Sequence, residues 1–138
     1  MRTADRAVST ARLVRLIVLA TAAFTAIQRG VGYLPFADDT PTVALTYVEW
    51  WLPLPVWGVV WILLGLMITV SILVPRLILA GMSAFVGMHI MWAASLTASW
   101  LKLDEPDTWV TGGNTAALAL FAAVLVLTFD RPDPAAHI

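Results

Sequence analysis

The sequence predicts an all-α integral membrane protein: a four-helix bundle with a short interfacial helix in its first outer loop. Four apolar runs, Leu13–Ile27, Leu54–Val74, Leu77–Leu101 and Thr115–Phe129, fill most of the 138 residues. Hydrophobic residues make up 60% of the chain and charged residues 12%, where a soluble domain carries roughly 45–50% and about 25%. Mean hydropathy is +0.86. A hydrocarbon core ~30 Å thick needs about 20 apolar residues per helix, with a range of roughly 17–25. Four spans plus their loops consume the whole length, so residues 1–138 form a single domain.

The first span covers about 12–28. Residues 1–10 are polar and expected to be loosely ordered, and Arg12 and Arg15 can snorkel to the headgroups. Ala20-Thr21-Ala22 resembles a signal-peptide cleavage site, but the apolar run continues to Ile27, which favours an uncleaved signal-anchor. Arg29-Gly30-Val31-Gly32 supplies the helix stop. In the next loop, Thr40-Pro41 reads as an N-cap and first-turn proline. Thr42, Thr46 and Glu49 then recur at helical spacing against Val43, Tyr47, Val48 and Trp51, which predicts an interfacial helix over about 41–52.

The second and third spans, about 54–74 and 77–101, are joined only by Pro75-Arg76 and must form a hairpin. The third is the longest, on the order of 37 Å at 1.5 Å per residue, so it should tilt or project. Lys102–Asn114 reads as a polar loop closed by Gly112-Gly113-Asn114, with the fourth span over about 113–129. Arg131-Pro132-Asp133-Pro134 ends the helical pattern.

Orientation follows from the basic residues. Arg2, Arg6, Arg12, Arg15, Arg76 and Arg131 share one side, and only Arg29 and Lys102 fall on the other, which places both termini in the cytoplasm. Trp50, Trp51, Trp57, Trp100 and Trp109 lie near the outer ends of spans and act as interface anchors, with Arg15 and Arg76 anchoring the inner side. These features predict a multi-pass protein of the bacterial inner (cytoplasmic) membrane.

Chemistry-bearing residues are few. Cysteine is absent, which excludes disulfides, thiol nucleophiles and cysteine-based metal or iron–sulfur sites. A net charge of −1 gives no electrostatic case for nucleic acid. Asp104, Glu105 and Asp107 lack the spacing of a calcium loop, and no phosphate-cradling loop, HExxH motif or nucleophile elbow occurs. No catalytic set, metal site or cofactor is therefore assigned, and a non-enzymatic role is expected.

Two features of the third span stand out. Ala80, Ala84, Gly87, Met91, Ala94 and Ala98 form a small-residue stripe about 80° wide at 100° per residue. Small residues let helix backbones approach in lipid, either inside the bundle or between copies of the chain. Ala22/Ala26, Gly58/Gly65 and Ala119/Ala123 offer lesser versions. His89 lies at mid-span about 180° from the stripe, beside Met82, Phe85, Trp92 and Leu96. If the stripe packs inward, His89 faces lipid or a second surface. It reads as a neutral ring bonded to a neighbouring hydroxyl or carbonyl, or as a proton relay, quinone contact or haem ligand. A bis-histidine haem needs a second copy of His89, because His137 is in the tail.

The tight Pro75-Arg76 hairpin, the Pro-Val-Trp57-Gly58 opening of the second span, Gly65 within it and His89 in the third resemble small four-span membrane proteins. These are encoded by phages of high-GC Gram-positive bacteria, and some are labelled holin-like. The resemblance covers about a third of the chain. It implies residence in the host membrane and a part in lysis without a catalytic residue. The leading expectation is a small non-enzymatic membrane protein that self-associates in holin-like permeabilisation, with the lipid bilayer and its own copies as partners. The alternatives are a redox-complex subunit using His89 and a small transporter or channel subunit.

Overall fold

The computed structural model describes residues 2–36, 45–103 and 108–129, with side chains at 10, 12–36, 45–103 and 108–125. The described residues are all-α. Helices α1 (Arg2–Gly32), α2 (Thr46–Glu49), α3 (Leu54–Ser71), α4 (Ile78–Leu103) and α5 (Thr108–Phe129) follow in order, with a 3₁₀ turn at Pro75–Leu77 before α4. Four stretches among them are long and apolar enough to cross a membrane: Arg12–Gly32, Leu54–Ser71, Pro75–Leu103 and Thr108–Leu125. The contacts divide into two compact units. One holds Met1–Asp39 and Leu54–Gly81, the other Thr40–Pro53 and Met82–Ile138.

The first unit is built on α1 and α3. Leu19, Ala22, Ala23, Ala26 and Gly30 are buried on α1; Leu54, Gly58, Trp61, Leu64, Gly65, Ile68 and Ser71 are buried on α3. Steps of three and four, with adjacent pairs at Ala22/Ala23 and Leu64/Gly65, keep one stripe of each helix on its partner. Two glycine contacts set how close the helices come. A Cβ on Gly30 would lie 2.6 Å from the Gly58 carbonyl oxygen, and one on Gly65 would lie 2.9 Å from the Ala23 carbonyl oxygen. Where lipid is as apolar as leucine, this backbone approach is what joins helices. The pairing expected of Gly58 and Gly65 is thus to α1.

The chain then reverses within a few residues. Ser71 Oγ donates to the Ile68 carbonyl at 2.6 Å. Val74 N–H donates to Val70 O at 2.9 Å and Leu77 N–H to Val74 O at 3.0 Å. Pro75 opens the 3₁₀ turn, where its missing N–H costs nothing. Gly81, on the first turn of α4, returns beside Ile68, whose Cγ1 would lie 3.2 Å from an added Cβ.

In the second unit α5 buries Thr108, Gly112, Thr115, Ala119 and Ala122, again at steps of four and three. A Cβ on Gly112 would meet Leu96 Cβ and Thr97 Oγ1, each at 3.4 Å. Leu45 and Val48 are buried beside α2, and Trp50 and Trp51 are exposed.

Several boundaries differ from the sequence expectation. Helix α1 begins at Arg2 rather than near residue 12, because Ala-rich polar sequence without Gly or Pro extends a helix readily once a span nucleates it. Helix α5 begins at Thr108, so Gly112, Gly113 and Asn114 lie inside a helix and not in a loop. Gly112 lies on the face of α5 that packs on α4, where an added Cβ would make ordinary contact. Of the interfacial helix expected over 41–52, the structure describes Thr46–Glu49 and the turn after it; Thr40, Pro41, Thr42 and Val43 lie outside the described residues.

Glycine substitution separates packed from open positions. Gly65→Ala is expected to lower stability by about 1–3 kcal/mol, since backbone must move to admit the methyl group. Gly87→Ala meets nothing within 4 Å and is expected to be neutral or stabilising by up to about 1 kcal/mol. Paired thermal melts in detergent, followed by circular dichroism, give both values. Equal losses at the two sites would contradict this packing.

Candidate functional site

Helix α4 carries two opposed faces, and their roles are the reverse of one sequence-based expectation. Met82, Phe85, His89, Trp92 and Leu96 are all at most 4% exposed, and His89 is at 0%. Ala80, Ala84, Gly87, Met91 and Ala94 are exposed, and Ala98 is half-buried. Packing of the small-residue stripe inside the chain is therefore corrected: the bulky face packs and the small face lies outward. The reason is unequal cost. An alanine loses almost nothing by meeting lipid, whereas an imidazole there is expensive and a tryptophan or phenylalanine forfeits many dispersion contacts.

The His89 ring is held by its own helix. Its Nδ1–H donates to the Phe85 carbonyl oxygen at 2.9 Å, one turn back. The Phe85 ring lies against it with centroids 4.1 Å apart at 42°. With Nδ1 as donor, the neutral ring carries its lone pair on Nε2. That tautomer suits a ligand histidine, but full enclosure leaves no open face through which two copies of His89 could share a haem. Among the described residues, no three His, Cys, Asp or Glu side chains gather as a metal site.

Hydroxyls follow the same rule. Thr69 Oγ1 donates to Gly65 O at 2.9 Å, Thr97 Oγ1 to Ala93 O at 2.8 Å, and Thr115 Oγ1 to Thr111 O at 2.8 Å. Each side chain satisfies itself on the carbonyl one turn earlier, as polar groups must where water is absent. Ser95 differs: it is 7% exposed and its Oγ has no hydrogen-bond partner among the described residues. It lies six residues from His89, about 9 Å along the axis and a third of a turn away. His89 and Ser95 thus do not form a base–nucleophile pair.

A second polar feature lies in the first unit, and the sequence reading missed its role. The Arg29 guanidinium sits over the Trp61 ring, 5.3 Å from its centroid. Trp61 is fully buried and Arg29 half-buried. Gly30 and Gly58 bring the helices together beside them, so a side chain one residue from the first glycine reaches an indole three residues from the second. A desolvated cation–π contact of this kind contributes up to about 2 kcal/mol. In the sequence Arg29 registered only as an outer-side charge before a glycine stop. The available signal was an arginine still inside the helical run.

The anchors assigned from sequence lie at exposed or partly exposed positions. Trp50, Trp51, Trp100 and Trp109 are exposed, and Trp57 is half-buried. Trp50 and Trp51 meet edge to face, with centroids 6.4 Å apart. Arg76 is exposed at the turn and Arg15 is half-buried on α1. Trp61 and Trp92 stand apart from this group as core residues, 0% and 1% exposed. Lys102 lies over the Tyr47 ring at 5.7 Å. Asp104, Glu105, Asp107, Arg131 and His137 lie outside the described residues.

No protein-family model, curated protein or solved structure matches this chain.

Enclosure of His89 has a direct chemical readout. In a His137→Ala background, carbethoxylation of His89 by diethyl pyrocarbonate is expected to be at least about tenfold slower in the folded protein than after denaturation, because the reagent must reach a ring nitrogen that only local opening exposes. Ultraviolet absorbance of the modified imidazole follows the reaction. Equal rates in both states would place the ring on the surface.

Proposed function

We propose that this chain is a non-enzymatic membrane protein that works by assembling with copies of itself through the small-residue face of α4. The observation that carries the reading is Gly87: nothing lies within 4 Å of a Cβ built on it. Glycine inside a helix costs roughly 0.5–1 kcal/mol relative to alanine, and no close contact with a described neighbour offsets that cost here. Ala80, Ala84, Met91 and Ala94 continue the same open face above and below it. A flat strip of small side chains exposed to lipid suits close backbone approach by a second helix. In this reading the bulky face folds the protein and the small face multiplies it.

Holin-like permeabilisation of the bacterial cytoplasmic membrane, with both termini cytoplasmic, is the concrete form of the proposal. The arginine distribution supports the orientation, and the short resemblance through Trp57-Gly58, Gly65 and His89 supports the lytic role. His89 is buried within its own chain, so the wall of such a lesion would come from other surfaces.

Single cysteines are free to be placed, since the chain has none. Gly87→Cys is expected to form a disulfide-linked dimer in membranes under mild oxidant, and Leu63→Cys, on the exposed side of α3, is not. Gly87→Leu should leave the melting temperature within a few degrees of wild type and abolish the cross-linking of Ala84→Cys. Expression of the wild-type chain should collapse membrane potential abruptly, and the Gly87→Leu form should not. Cross-linking without loss of potential would keep the assembly and remove the permeabilising role; absence of α4 cross-links would remove both.

A further inference from the structure

We propose that Arg29, held against Trp61 in the α1–α3 pair, is a binding site for a phosphate-type anion at the membrane surface where α1 ends. A guanidinium presents five N–H donors and keeps its charge. The contact that holds it here is the face of an indole, which neutralises no charge and accepts no strong hydrogen bond. Its Nη1 is buried with no hydrogen-bond partner among the described residues. The described side chains of α1 and α3, and of the turn up to Gly81, include no aspartate or glutamate, and the other charges among them are Arg12, Arg15 and Arg76. Arg12, Arg15 and Arg76 lie toward the opposite ends of these helices, so among the described side chains of this unit Arg29 is the one charge in an apolar surrounding near the end of α1.

The placement is built rather than incidental. The Gly30–Gly58 contact fixes the spacing of the two backbones, and the fully buried Trp61 fixes one face of the guanidinium plane. Arg29 itself keeps part of its surface exposed. Along the helices, Arg29 lies three residues from the end of α1, about 4.5 Å, and Trp61 seven residues from the start of α3, about 10 Å. An arginine this near the end of a span can extend its head toward headgroup phosphates. A planar fork pairs with two oxygens of one oxyanion, and an ammonium does not. The shared chemistry is therefore a phosphate oxyanion, supplied by a lipid headgroup or by phosphate in solution.

The test uses full-length protein, delipidated in a non-ionic detergent. Melting temperature is titrated with short-chain phosphatidylglycerol, with the matching phosphate-free diacylglycerol, and with inorganic phosphate against chloride at equal ionic strength. Anything that binds the folded form raises the melting temperature in a saturable way. The expected result is a saturable rise of several degrees with phosphatidylglycerol and none with diacylglycerol. Arg29→Gln should abolish the rise, and Arg29→Lys should weaken half-saturation about tenfold. A rise with inorganic phosphate that Arg29→Gln removes assigns the site to soluble anions; a rise with the lipid alone assigns it to headgroups. If neither phosphate source shifts the wild type, or if Arg29→Gln responds as the wild type does, the site does not exist. The wild-type titration decides this even if Arg29→Gln fails to fold. An internal acidic partner for Arg29 would produce the same negative result.

Discussion

A polar group in hydrocarbon has to find its partner within the protein, and that constraint organises this structure. In water, His89 could have faced either side of its helix at little cost. In lipid it must turn inward, and once it does, the rotation of α4 about its axis is settled. Phe85, Trp92 and Leu96 go in with it, and the alanines and Gly87 go out. The threonines follow the same constraint locally by donating to the carbonyl one turn earlier on their own helices. Burial of the imidazole and exposure of the small stripe are thus two consequences of one preference.

Helix association in the first unit rests on a different balance. With no hydrophobic gain available between apolar helices in lipid, contact distance matters most, and glycine provides it. Gly30, Gly58 and Gly65 are used in this way; Gly87 is equally small, and no described atom lies within 4 Å of a Cβ built on it. The contrast gives the small face of α4 its interest. The same residue type, on helices of similar composition, is consumed by folding in one place and left over in another. Arg29 is a further product of the close approach, because helices held farther apart would leave the guanidinium beyond reach of Trp61.

Some departures from the sequence reading have a common source. Gly112-Gly113-Asn114 resembles a loop when judged by local preference, since each residue disfavours helix in isolation. Contact with α4 overrides that preference at Gly112. Arg29 resembles a topological marker before a helix stop, and its role depends on a tryptophan 32 positions away in sequence. For the small stripe the sequence left two partners open, a helix of the same chain or one of another copy. The preference of small residues for helix contacts in lipid does not say to which chain the partner helix belongs.

By itself, the sequence determined the solvent and the class: four apolar segments of spanning length, all-α, with a tight turn at Pro75. Those properties follow from composition and run length, which report directly on whether water or lipid surrounds the chain. Only the tertiary structure decided which face of α4 packs, that His89 is enclosed, and that Arg29 meets Trp61. Periodicity defines the faces of a helix but is blind to its rotation. Rotation is chosen by the summed contacts and polar costs of all the helices together, and those exist only once the chain has folded.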